Sequence, residues 1–358
     1  MKYTFNLQLT SNPKTKPDPS TLKFGKVFTD HMFAMEYSTG KGWHDGRIVP
    51  YGPIELEPSS SVLHYSQQMF EGLKAYRTAD GRILLFRPYK NAARVNETNE
   101  RMCIPQLDEE LFVESIKALV SVDKDWIPTT PGTSLYIRPF IFANENFVGV
   151  APAKKFNYII ICSPVGPYYD TPGGGLLAAS IYVEEEYVRA AAGGTGYAKV
   201  GGNYAGAMKA QEKAAKLGCD QVLWLDAAQH SYVEEIGTSN AFFMIGNEVI
   251  TAPLLGTILP GVTRASVIEL LQKWGVNVVE RRLAIADVLK AHEDGSLKEI
   301  FSTGTAAVIS PVGKLQFRDT EFIIGNGGVG ELSQKLYSEI YGLQTGRIED
   351  YMNWTVEI

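Results

Sequence analysis

Residues 196–204 read GYAKVGGNY, and residues 234–240 read EEIGTSN. In the first stretch Lys199 is hemmed by Gly196, Gly201 and Gly202, and glycines let backbone pack closely against a ligand. A lysine removed from water there loses proton affinity and becomes nucleophilic. The alanine-rich run that follows, GNYAGAMKAQEKAAKLG, predicts a helix that stops at Gly218, a residue suited to a left-handed turn. QVLWLD, YVEEI and AFFMIGNEVITA then read as strands, the last folded at a Gly-Asn hairpin. In EEIGTSN, side-chain alternation along a strand sends Glu234 and Glu235 to opposite faces.

Working outward toward the N-terminus, GPYYDTPGGG at 166–175 is the densest Gly/Pro segment and is read as an interdomain connection. A chain of 358 residues is too long for one core. The expected organisation is a domain over 1–165, a connection over 166–176 and a second domain over 177–358. Before the connection, AYRTADGRILLF places Asp80-Gly81 in a tight hairpin, and Asp108 caps a helix over EELFVESIKALVSV with Leu111, Ile116, Leu119 and Val120 near one face. SLYIRPFIFA and FNYIIICSPV are further strands. Beyond the connection, VTRASVIELLQKWG is an amphipathic helix with Val267, Leu270, Leu271 and Trp274 in step and Thr263 as its cap. ELSQKLYSEIYGLQ closes the chain as another helix. Strands interleaved with helices give an α/β (α+β) chain.

A formal charge of −6 and a pI near 5.5 oppose a nucleic-acid or anionic-membrane surface, both of which rely on clustered positive charge. The N-terminal stretch lacks both a signal-peptide core and an Arg-rich presequence, and no uncharged apolar run is long enough to span a membrane. The expected location is the cytoplasm, and the expected partners are small molecules and copies of the same chain. Cys103, Cys162 and Cys219 form no CxxC pair, and the five histidines form no HxxxH or HExxH pair, so no metal site is expected.

Neither GxGxxG nor GxxxxGK[ST] occurs, so a dinucleotide or P-loop phosphate site lacks its equipment. LPGVTR at 259–264 instead puts a Pro-Gly turn before a helix and aims the amides of Val262 and Thr263 at one anion. A cofactor with a single phosphate fits best.

FGKVFTDHMF, LHYSQQMFEGLKAYR, LFRPYKNAAR, SLYIRPF, GYAKVGGNY, EEIGTSNAFF, LPGVTR and STGTAAVISPVG occur in that order. From about residue 20 to 345 the chain resembles the branched-chain amino acid aminotransferases, fold-type IV pyridoxal-phosphate enzymes. The resemblance implies a smaller N-terminal α/β domain and a larger C-terminal, cofactor-binding domain with a barrel-like sheet. It implies that Lys199 forms the Schiff base with pyridoxal 5'-phosphate and shuttles the substrate proton, roles that suit an amine. By the same resemblance Glu235 pairs with the pyridine nitrogen, and Tyr204 hydrogen-bonds the phenolate oxygen. Leu259 packs on the ring, while Arg87, Val262, Thr263 and Thr305 hold the phosphate. Phe24, Tyr65, Tyr136, Val148, Val150 and Tyr168 line the substrate pocket. The amides of Thr305 and Ala306 take the substrate carboxylate, and Arg138 takes the side-chain carboxylate of glutamate. The implied reaction moves an amino group between leucine, isoleucine or valine and 2-oxoglutarate, in a homodimer whose loops complete each other's sites. D-amino acid aminotransferase and aminodeoxychorismate lyase share the lysine and glutamate and are the alternatives within the fold. Where animal members carry a CxxC pair after the GTA turn, this chain reads Ala306-Ala307-Val308-Ile309-Ser310, which excludes a thiol switch there.

Overall fold

The run SLYIRPFIFA forms the strand Ser134–Ala143, and its alternation sorts the side chains of a nine-stranded sheet into two faces. The computed structural model describes residues 3–167 and 175–358. Contacts divide the chain into two units, Met1–Tyr168 with Ala198–Gly201 and Gly342–Ile358, and Tyr169–Tyr197 with Gly202–Tyr341.

In the first unit, Leu135, Ile137 and Ile141 point to one side of the sheet and are fully buried. There they meet the helices Pro88–Arg101 and Glu109–Val122 through Ala92, Val95, Phe112, Ile116, Leu119 and Val120. The cap expected for the second helix is present: the Asp108 side chain accepts from the Leu111 amide at 3.1 Å. Tyr136, Arg138 and Phe140 alternate with the core residues and so lie on the other face. Phe70, register partner of Phe140 in the short strand Gln68–Phe70, joins them there. The hairpin at Asp80-Gly81 joins Leu73–Arg77 to Ile83–Phe86. Only Gly81 takes a positive φ, +90°, because the connection closes from Thr78 to Arg82 and needs one left-handed residue, not two.

In the second unit, six strands close into a barrel: Ala179–Glu184, Gln221–Leu225, Val233–Ile236, Ser239–Ile245, Leu297–Gly304 and Val308–Phe317, the last pairing back in parallel with the first. Ile181, Val183, Leu223, Leu225, Phe243 and Ile300 supply much of its apolar packing. The helix Gly201–Lys216 ends before Gly218, whose φ is +73°, and Gly246 turns the expected Gly-Asn hairpin.

Two readings need correction. The cap of the helix Val262–Lys273 is Gly261, not Thr263. Gly261 already has the extended backbone of a cap, which leaves Thr263 buried inside the first turn. Residues 342–358, expected in the second domain, belong to the first unit. The reason is pairing rather than chain order: Thr355–Glu357 adds an antiparallel strand beside Ile83–Phe86. The segment 166–175 lies mostly outside the described residues.

Strict alternation also fails at Glu234 and Glu235. Leu223 pairs with Ile236 and Leu225 with Val233, so three steps on one strand face two on the other. Such a bulge brings neighbouring side chains toward one side. Both carboxylates accordingly reach the loop Thr257–Leu259: Glu234 accepts from the Thr257 hydroxyl and Glu235 from the Leu259 amide.

Candidate active site

Lys199 is fixed by its backbone. Its N–H donates to the Thr98 hydroxyl at 3.1 Å and its carbonyl accepts from the Phe70 amide at 3.0 Å. The side chain then lies over Phe70, with Nζ 4.9 Å from the ring centre. The Arg138 guanidinium sits 4.7 Å from the same ring and donates to the Tyr136 hydroxyl at 2.8 Å. Phe24 meets Tyr136 edge-on at 4.8 Å. Four residues chosen from sequence, Lys199, Arg138, Tyr136 and Phe24, therefore form one chain of contacts, and its linking member, Phe70, was not among them.

Beneath this group Glu71 is fully buried. It accepts from Arg94 at 2.7 and 2.9 Å, from Asn91 at 2.8 Å and from the Gly72 amide at 3.0 Å. Burial pushes its pKa up, but the charge and hydrogen bonds of Arg94, the charge of Lys199 and the Asn91 bond outweigh burial and hold it below the usual range. Glu71 and Arg94 both lie inside motifs read from the sequence, and only their pairing across 23 residues was invisible there.

Glu235 is 2 % exposed. One carboxylate oxygen accepts from Asn240 at 2.8 Å and the Leu259 amide at 3.2 Å, and the other meets Arg189 Nε at 2.7 Å. Arg189 also donates to the carbonyls of Gly196 and Thr257. Nothing in the residues around Arg189 singled it out, since its partner is 46 positions away. Asn240 lies opposite Glu235 on one side and Thr303 on the other, so the three share a sheet face. The Thr303 hydroxyl is buried without a partner among the described residues.

The helix that begins at Val262 has no side-chain cap, so its leading amides are directed at whatever lies beyond them. A Cβ on Gly196 would meet backbone atoms of Thr257, which shows why that position excludes a side chain. Gly202 is exposed, with open space where a Cβ would stand. A buried carboxylate braced by Arg189, an orphan hydroxyl and an uncapped helix start suit a protonated ring nitrogen and a phosphate.

The model of the class IV amino-transferase family matches residues 68–315. A Bacillus subtilis protein named branched-chain-amino-acid aminotransferase 2 is 54% identical over 357 residues, covering 100% of this chain and 98% of the relative. The chain belongs to the class IV aminotransferases. A Mycolicibacterium smegmatis branched-chain-amino-acid aminotransferase is 44% identical, with 99% of this chain and 98% of the relative covered. A solved branched-chain amino acid aminotransferase from T.th., with pyridoxamine 5'-phosphate, superposes with a TM-score of 0.74 at 26% identity, covering 90% of this chain and 97% of that one. These relatives place the chain with the branched-chain group of the family, and neither alternative of the same fold is favoured.

As a class IV aminotransferase, the chain places its remaining sequence-chosen residues as follows. Tyr204 stands in the first turn of the helix Gly201–Lys216 and Leu259 beside Glu235. Thr305 and Ala306 form the turn between the strands Leu297–Gly304 and Val308–Phe317. Arg87, buried, takes a left-handed backbone at the start of the helix Pro88–Arg101, with its guanidinium 4.6 Å from the Trp354 ring centre. Tyr65 donates to the Val148 carbonyl at 2.9 Å. Val150 is 86 % exposed. Tyr168 lies outside the described residues.

Proposed function

We propose that the chain moves an amino group between leucine, isoleucine or valine and 2-oxoglutarate, with pyridoxal phosphate as cofactor and Lys199 as the base at the reacting carbon. The observation that carries this reading is Lys199 itself, held by two backbone hydrogen bonds and laid over Phe70 beside Arg138 and Tyr136. When bound, the cofactor supplies an aldehyde and an electron-withdrawing ring.

The protein's part is binding, orientation and proton movement. With the cofactor bound, Lys199 would move the proton between the substrate α-carbon and C4′, which a flexible primary amine reaches from one anchored backbone. Glu235 holds the proton on the ring nitrogen, and the Arg189 and Asn240 contacts fix its orientation. Arg87, the amides of Val262 and Thr263 and the Thr305 hydroxyl receive the phosphate. Tyr204 meets the phenolate oxygen and Leu259 packs on the ring. The substrate carboxylate meets the Thr305 and Ala306 amides, and Phe24, Tyr65, Tyr136, Val148, Val150 and Tyr168 surround its side chain. Arg138 with the Tyr136 hydroxyl takes the second carboxylate of glutamate.

Hydrocarbon side chains offer no hydrogen-bonding handle, so neighbours differing by one methylene separate by only about 1–3 kcal/mol. Steady-state rates for leucine, isoleucine and valine with 2-oxoglutarate test the assignment, and all three should turn over. Turnover confined to a D-amino acid would overturn it. Glu235→Gln should slow transamination by about 2–4 kcal/mol in activation free energy. A near-normal rate would remove Glu235 from ring-nitrogen protonation.

We place the enzyme in the cytoplasm, where the three free thiols stay reduced, and take its assembly to be a homodimer with shared sites. Among the described residues no helix is long and apolar enough to cross a membrane. Support for the dimer comes from Leu63, Tyr65, Phe147, Val148 and Val150, which are exposed together, Val148 at 60 %. The backbone of their loop is nonetheless pinned, with Phe147 N–H donating to Ser59 and Tyr65 to Val148. An ordered apolar tip of this kind favours a covering surface. Val148→Asp should weaken both dimerisation and activity on leucine. Heterodimers of Lys199→Ala and Val148→Asp chains, isolated with two tags, should regain activity, since one hybrid site joins an intact lysine to an intact partner loop. No recovery in verified heterodimers would mean that each subunit completes its own pocket.

A further inference from the structure

A cavity of about 280 Å³ opens in the second unit behind the bulged strand. None of the residues assigned to cofactor or substrate lines it. Its size is just below the roughly 300 Å³ at which pockets for drug-sized ligands begin, so it suits a small metabolite. Its walls are largely apolar, formed by Val233, Ala252, Pro253, Leu255 and Ile258. Polar groups enter at two places.

One is Glu234, only 7 % exposed. Its Oε1 accepts from the Thr257 hydroxyl at 2.5 Å, whereas Oε2 has no hydrogen-bond partner among the described residues. A buried carboxylate oxygen without a donor is costly. Burial raises the Glu234 pKa, as does the charge of Asp226, against the lowering effects of the Thr257 bond, Arg189 and Arg282. The other polar group is Arg282, whose half-exposed side chain stacks 3.8 Å from the Tyr232 ring centre and meets Asp226 at 3.3 Å. Asp226 is already occupied by the amides of Gln229, Ser231 and Tyr232, so Glu234 is the carboxylate lining the cavity whose hydrogen-bonding capacity is unfilled.

We propose that this cavity is a second, non-catalytic site for a small amino acid, with its ammonium group donating to the Glu234 carboxylate, its carboxylate meeting Arg282 and its side chain on the apolar wall. A cation alone would add nothing to the guanidinium beyond its Asp226 and Tyr232 contacts, and an anion alone would face the Glu234 carboxylate with no donor. A zwitterion with a short hydrocarbon body meets both. Thr257 ties the floor of this cavity to the catalytic carboxylate: its hydroxyl bonds Glu234, and its carbonyl accepts from Arg189, the partner of Glu235. The binding claim stands independently of the roles proposed for Lys199 and Glu235.

The test is calorimetric titration of the holoenzyme in its pyridoxamine-phosphate form, in which amino acids do not react. The active site is first saturated with 4-methylvaleric acid, the ligand in another of the solved T.th. structures. L-Valine should then bind saturably, and Glu234→Gln should weaken it at least about tenfold, the lower end for a charge-assisted hydrogen bond. Arg282→Ala should weaken valine similarly but leave unchanged the binding of isobutylamine, the same body without the carboxylate. Valine titrations that coincide for wild type and Glu234→Gln overturn the proposal, as does the absence of saturable valine binding to wild type. Should Glu234→Gln fail to fold, Ala228→Phe at the exposed rim decides the matter: lost binding supports the site, and wild-type binding overturns it.

Discussion

Lys199→Ala should lose transamination by at least about a hundredfold, the smallest effect usual for removal of a positioned acid or base, while the chain stays folded. Folding survives because the Thr98 and Phe70 hydrogen bonds at this position use only the backbone of residue 199, and alanine keeps them. What disappears is the amine over Phe70. The variant should still retain cofactor through its phosphate, because the groups proposed to hold it, Arg87, Val262, Thr263 and Thr305, are untouched. Turnover, thermal unfolding and cofactor content of the purified chain separate the three statements. Residual activity above about a hundredth of wild type would take the central role away from Lys199.

Glu71→Ala should destabilise the protein by about 3–5 kcal/mol, the cost of breaking a buried ion pair from one side. The loss comes chiefly from Arg94, itself buried, which keeps its charge and loses two hydrogen bonds. Replacing both residues with apolar ones of similar volume should recover much of that loss. Denaturant unfolding of the two single variants and the double variant measures it, and a loss under about 1 kcal/mol, typical of an exposed pair, would show the bridge to be structurally minor. Because the folded-state pKa of Glu71 lies below its ordinary range, its stabilisation is complete above the unfolded carboxylate's pKa. It is lost as pH falls through the folded value. The acid limb of the stability profile should therefore flatten in Glu71→Ala. The residue next to it, Phe70, donates to the Lys199 carbonyl and lies under its side chain, so the pair adjoins the proposed site.

Much of the site was legible along the chain because its residues sit in short motifs whose local conformation is set nearby. A lysine among glycines, a Pro-Gly turn opening a helix and alternating strands such as SLYIRPFIFA each report their own conformation through backbone sterics and period. The sequence therefore determined many of the elements, three of the six barrel strands, the family resemblance and the identity of Lys199 and Glu235 as residues to watch.

Only the tertiary structure decided which distant groups hold them. Arg189 braces Glu235, Arg94 neutralises Glu71 and Phe70 links Lys199 to Arg138. The same is true of the bulge that turns Glu234 and Glu235 toward one loop, and of the C-terminal strand that joins the first unit. None of these has a local signal. Ion pairing and ring contact depend on where non-adjacent segments meet, and strand register depends on the partner strand as much as on the strand itself.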